Sequence, residues 1–168
     1  MSVNSKQFLE RNYDSILAQG EKIVQSDFMV VFKGFEHMRW LVKEFPWPTA
    51  TVGEPIEIAA PNGMRHFQTS QRDIPVQGQM TLMETVQGHV DEFMEKIIAG
   101  PGWGYFDLKV FEGTSDNARW FAEMRRCIWK SEPIGRTWDD RTQIMTIGGQ
   151  ITGHYFGKRT TVGITDGS

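Results

Sequence analysis

The polar stretch from Pro61 to Pro75 lies between two runs with strand character, where a small domain would ordinarily use a tight turn. Loops longer than about 12–15 residues without structure of their own are uncommon in compact domains, and most are functional or disordered. A chain with such a stretch between strands reads as one built to reach outside itself. The neighbouring pattern supports this. Asp27–Glu44 reads as a β-hairpin, and Phe45-Pro46-Trp47-Pro48 ends it because proline cannot donate to a central ladder. A well-patterned helix follows from Gly88 to Ala99.

At 168 residues the chain is long enough for one domain with a core that needs no staples. Its net charge of −3 argues against a general nucleic-acid binder, which needs a basic surface to displace counterions. A single cysteine, Cys127, excludes an intrachain disulfide framework and points to a reducing compartment. The sequence has no apolar run long enough for a membrane helix, and its first residues do not resemble a signal peptide. These features predict a soluble, cytoplasmically made protein. Six tryptophans and eleven phenylalanines supply large contact areas, useful at interfaces as well as in a core.

Along the chain, Ser5–Gln19 reads as an amphipathic helix with Leu9, Tyr13, Ile16 and Leu17 on one stripe. Asn4 with Gln7 gives a weak cap and Gly20 a stop. This helix either packs on its own domain or docks on a neighbour. Phe28–Phe32 is an apolar strand covered on both faces, with Met38–Val42 its half-buried return. Glu54–Ala60 is a short extended segment, and strand character resumes over 77–86 with Met80 and Leu82 inward. Val90, Phe93, Met94, Ile97 and Ile98 form the apolar stripe of the next helix, predicted to pack on the sheet, and Gly100-Pro101 ends it. Further strands are read at Tyr105–Phe111, Ala118–Lys130 and Gln143–Phe156, with a turn over Glu112–Asn117. Ala118–Lys130 also fits a helix. The last strand is expected to change face near Gly148-Gly149, as at a bulge. The segments divide into a helical arm (1–26), a β domain (27–156) and a flexible tail (157–168). About seven strands with one strong helix imply a mainly β fold, a barrel or two-sheet sandwich with a flanking α-helix.

No catalytic, cofactor or metal site is expected. His37, His66, His89 and His154 lack metal-ligand spacing, and there is no nucleophile elbow, phosphate loop or dinucleotide fingerprint. Asp139 and Asp140, read on a strand, would point to opposite faces and so cannot share a reacting centre; a solvated turn is the better reading. Cys127, between Met124 and Ile128, reads as a buried structural thiol. The loop has two readings. One is a flexible surface segment. The other is an interface carried by Asn62, Gly63, Met64, Arg65, His66, Phe67, Gln68 and Arg72, because Met, Phe and Arg are enriched where proteins touch.

Taken in order, Phe28–Phe32, Met38–Val42, Phe45-Pro46, the loop, Met80-Thr81-Leu82 and Val90–Ile98 resemble the tail tube proteins of contractile-tailed bacteriophages. Cys127-Ile128-Trp129-Lys130, Pro133-Ile134, Thr137-Trp138-Asp139, Gln143-Ile144-Met145-Thr146 and Tyr155-Phe156 resemble that family's closing strands. The resemblance covers Asp27 to Phe156; the stretch before Asp27 is longer than the family's lead-in. It implies a β-barrel-like fold and hexameric rings stacked into a tube inside a contractile sheath, with the long loop contacting the next ring. It also implies partners in the sheath, baseplate and tail-terminator proteins, phage DNA in the lumen, and a place in the virion after assembly in the host cytoplasm. Baseplate or terminator proteins and type VI secretion tubes share the pattern. A ligand-binding barrel such as a flavin enzyme is the alternative of a different class. It would require a preformed pocket with polar anchors and would show visible absorbance.

Overall fold

The computed structural model describes residues 6–20, 22–113 and 118–161. Asn4 and Ser5, part of the turn at 114–117 and the tail beyond Thr161 lie outside the described residues. Among the described residues two α-helices, α1 (Lys6–Ala18) and α2 (His89–Ala99), accompany eleven strands. These are β1 (Phe28–Phe32), β2 (Val42–Glu44), β3 (Thr51–Val52), β4 (Ile56–Ala59), β5 (Arg65–Gln68), β6 (Arg72–Asp73), β7 (Pro75–Met83), β8 (Phe106–Gly113), β9 (Ala118–Ser131), β10 (Thr146–His154) and β11 (Arg159–Thr161).

The main sheet is antiparallel, in the order β1-β8-β9-β10-β7-β2, with β11 also on β9. Strand β9 is the spine. Its first half carries β8 and β11, and its second half carries β8 and β10. Between them, Arg126 takes a positive φ of 47° and its N–H donates to Asp107 Oδ1 at 2.9 Å. Ladder registers on both sides shift here, between Phe106 and Leu108 and between Thr152 and His154. The buried residues of β9 change parity at this bulge, from Ala118, Ala122 and Met124 to Cys127 and Trp129. The sheet thereby bends round one core, which α2 caps with Val90, Phe93 and Ile97. No closed barrel forms among the described residues, because β1 and β2 end the order without pairing with each other.

Several expectations are corrected. Phe28–Phe32 does not pair with a return strand at Met38–Val42. Gly34 (φ 84°) and successive bonds from Phe35 N to Phe32 O, Met38 N to Phe35 O and Leu41 N to Met38 O wind the chain into a 3-10 turn over Glu36–Trp40. Three-residue spacing puts Phe35, Met38 and Leu41 on one face. Met38 is fully buried there and Trp40 is exposed. Ile98 is 68% exposed rather than packed, since it lies roughly 80° round the helix from Val90. Met94 is partly buried against the core. In β10 the inward residues are Ile147, Gly149, Ile151 and Gly153, with no change of face at Gly148-Gly149. A Cβ on Gly149 would strike the Lys130 carbonyl oxygen, so the glycine is required by close strand approach. Arg159–Thr161 pair with β9 instead of forming a loose tail. Residues Thr137, Trp138 and Asp139 lie outside any strand, in an exposed loop between β9 and β10.

The Glu84 carboxylate accepts from Thr85, Val90 and Asp91 N–H at 2.8, 3.1 and 3.2 Å, and so satisfies donors at the start of α2. On its exposed face a hydrogen bond from Lys96 holds Glu92 below the usual carboxylate range.

Cys127 is fully buried, and burial followed by the charge of Asp107 pushes its thiol from 9.0 up to about 12. A group whose pKa rises on folding supports the fold below its unfolded value, and that support falls away as pH climbs from 9.0 towards 12. Since the thiolate is the reactive form, a thiol reagent at neutral pH is expected to label the native protein only as fast as it unfolds. Rapid stoichiometric labelling without denaturant would contradict the packing.

Candidate interaction surfaces

The stretch 51–73 is a two-stage β-arm rather than a structureless loop. At its root β3 pairs with β6, Thr51 opposite Asp73 and Val52 opposite Arg72. Beyond it β4 pairs with β5, with Ile56 opposite Gln68, Glu57 opposite Phe67, Ile58 opposite His66 and Ala59 opposite Arg65. Gly53 sits between the two ladders and donates to the Gln71 carbonyl at 2.9 Å. A Cβ there would stand 2.8 Å from Ser70 Oγ, so a larger residue would require that hydroxyl to swing aside. Asn62 (φ 65°) and Gly63 (φ 74°) turn the tip, and Ala60 N donates to Met64 O at 2.8 Å. An Asn-Gly pair supplies the two positive φ values that hairpin turns favour.

Two contacts fix the root. Arg72 Nη1 donates to the Phe156 carbonyl at 3.0 Å, and Tyr155 N donates to Ile74 O at 3.0 Å. On the entering side Gly78 of β7 lies under Pro46, whose ring occupies the place a Cβ would need. The proline thus directs the chain off the sheet towards the arm.

No residue of the arm is buried. Val52, Met64 and Phe67 are 64%, 69% and 68% exposed, and Ile56 is also open to solvent. The Arg65–Glu57 ion pair of 3.1 Å shares the face of Phe67, but an exposed pair adds little to stability. The structure thus brings all eight residues of the expected interface onto one projecting element, with Met64 at its tip and Arg72 at its root. Among the described residues, the outer edges of β1 and β2 have no partner strand in the main sheet. Sequence reading placed a solvated turn at Asp139-Asp140 but did not single out the surrounding loop over 132–145, where Trp138 is 95% exposed, nor the meeting of His37 with His89 at 5.2 Å. No group of three or more His, Cys, Asp or Glu side chains able to hold a metal ion is present among the described residues. No described helix is long and apolar enough to cross a membrane.

No protein-family model and no curated protein matches this sequence. Solved structures do match its fold. A chain of the sheath-tube complex of an extracellular contractile injection system (PVC, extended state) superposes with a TM-score of 0.51 at 13% identity, covering 88% of this chain and 97% of that one. A chain of the anti-feeding prophage (AFP) baseplate gives 0.50 at 9% identity, covering 87% and 99%. The fold is that of contractile-tail tube-like proteins. This tail-tube-like fold agrees with the mainly β architecture expected from sequence, with an open sheet in place of a closed barrel.

Proposed function

We propose that the chain is a structural subunit of a contractile tail: six copies form a ring, and stacked rings make the inner tube through which phage DNA leaves. The observation carrying this reading is the β-arm, a rooted element that exposes Val52, Met64 and Phe67 and buries nothing of its own. Apolar side chains held out in this way gain stability only against another surface. The edges of β1 and β2 are templates for strands of adjacent copies, and a repeated head-to-tail contact closes a ring where its rotation permits. The arm then joins ring to ring, and the sheath packs outside. A net charge of −3 suits a lumen in which a polyanion must slide without sticking. Assembly takes place in the host cytoplasm and the product resides in the virion.

A baseplate role is the second reading, favoured by the superposition on the AFP baseplate chain. Negative-stain electron microscopy of the purified protein separates the two. Long tubes of uniform width are the expected result, whereas rings that never stack would favour the baseplate reading. Single subunits at all concentrations would overturn both.

A further inference from the structure

Among the described residues Glu112 is the one charged side chain that is buried, at 7% exposed. It follows Phe106, Leu108 and Val110 on the inward face of β8, opposite Phe28 of β1. This end of the face opens into a groove of about 830 Å³ between the beginning of β1 and the end of β2. Glu112 lines it with Phe28, Phe45, Trp47 and Trp120, and the two indoles meet at 5.4 Å with their planes 75° apart, forming a corner. No described residue makes a hydrogen bond or ion pair with the Glu112 carboxylate. Lys43 and Arg159 share the groove, but neither lies within ion-pair distance of it; Arg159 stacks its guanidinium over Trp120 at 4.1 Å. Asp27 and Glu44 line the same space, so carboxylates outnumber cations there.

A carboxylate withdrawn from water costs free energy until a cation or a donor meets it. We propose that the groove binds a small guanidinium compound with an apolar stem, its head on Glu112 and its stem in the Trp47–Trp120 corner. Each other class of ligand leaves something unmet. A neutral apolar ligand leaves the carboxylate unpartnered, and an anion meets Asp27, Glu44 and Glu112 together. A metal ion finds no group of three or more His, Cys, Asp or Glu ligands among the described residues. A guanidinium pairs in bidentate fashion with a carboxylate and stacks on indole faces, whereas an ammonium is more strongly hydrated and has no planar face to stack. The contact of Arg159 with Trp120 has that stacking mode already in place on this surface. An arginine side chain of an adjacent copy offers the same group. The free ligand is favoured because the cleft forms within one subunit, has the size of a small-molecule site and sets one buried polar anchor among aromatic walls.

The test is a calorimetric titration of the full chain with Nα-acetyl-arginine methylamide, with the citrulline counterpart as an uncharged control of the same shape. Saturable binding of the arginine probe is expected, and the citrulline probe should bind roughly tenfold more weakly or worse, the cost of a lost charge-assisted bond. Glu112→Gln should lose the preference for arginine yet melt no lower than the parent, because it removes a buried charge that no ion pair holds. Trp120→Leu, with its fold checked by circular dichroism, should weaken both probes. Equal binding of the two probes by the parent chain, or no binding, would overturn the proposal. So would a lower melting temperature for Glu112→Gln in a chain that binds neither probe, since Lys43 and Arg159 would then already satisfy the carboxylate. A final arm repeats the titration on particles that micrographs show as rings or tubes. Retained binding supports a free ligand. Binding by dispersed subunits that vanishes on assembly would mean that the neighbouring copy covers the groove, and would overturn the free ligand while leaving the tube reading intact.

Discussion

Phe93→Ala is expected to remove about 3–5 kcal/mol of folding stability, the usual loss for a fully packed phenylalanine. Phe93 is 1% exposed and sits at the junction of three rings: Phe35 at 4.9 Å, Phe32 at 5.2 Å and Phe106 at 5.5 Å, all edge to face. Truncation forfeits the transfer of the ring out of water and opens a cavity that these neighbours cannot fill together. They are held by β1, the 3-10 turn that follows it and β8, which are hydrogen-bonded to one another and so cannot move independently into the space. Urea unfolding reads the loss as a lower midpoint at unchanged slope. Ile98→Ala on the same helix supplies the contrast. Its side chain is 68% exposed, so the change should stay within about 0.5 kcal/mol. Equal losses from the two would mean that α2 packs with a different face inward.

The sequence made α2 legible because one apolar stripe and a Gly-Pro stop agree, and only Ile98, at the margin of the stripe, was assigned to the wrong side. Strand β7 was readable for a similar reason: its alternation is uninterrupted, and Met80 and Leu82 are both fully buried. Strand β9 was harder. The parity change at Arg126 places Met124 and Cys127 three residues apart on the inner face, a spacing that imitates a helix. The supposed hairpin failed for the opposite reason. Met38, Trp40 and Val42 alternate as a strand would, but the controlling period was three, through Phe35, Met38 and Leu41. Register explains the rest. Gly53, Gly78 and Gly149 are sites of close approach to chain far away in sequence, and nothing adjacent to them announces the partner. The candidate interface residues were picked out by their chemistry, whereas the hairpin that carries them was signalled only by Asn62-Gly63.

Replacing residues 54–70 with a short Gly/Ser linker is expected to abolish tubes while leaving the subunit folded. The deleted segment holds no buried residue, and the replacement spares the β3–β6 root together with the bond from Arg72 to the Phe156 carbonyl. The core on β1, β7, β8, β9, β10 and α2 therefore keeps its contacts. A native-like circular dichroism spectrum and an unchanged urea midpoint are the expected folding results. What disappears is the surface of Ile56, Met64 and Phe67. An isolated two-stranded hairpin is marginal in water, so the outer ladder of the arm should be firmly ordered only where another copy covers it. Amide hydrogen exchange can measure this: protection across β4 and β5 should be weak in dispersed subunits and strong in the assembled state. With the arm gone, ring contacts through the sheet edges survive and stacking does not, so micrographs should show rings or free subunits. Tubes of normal length from the shortened protein would remove the arm from the stacking contact. The exposed loop over 132–145, with Trp138 at its surface, would then be the next element to test.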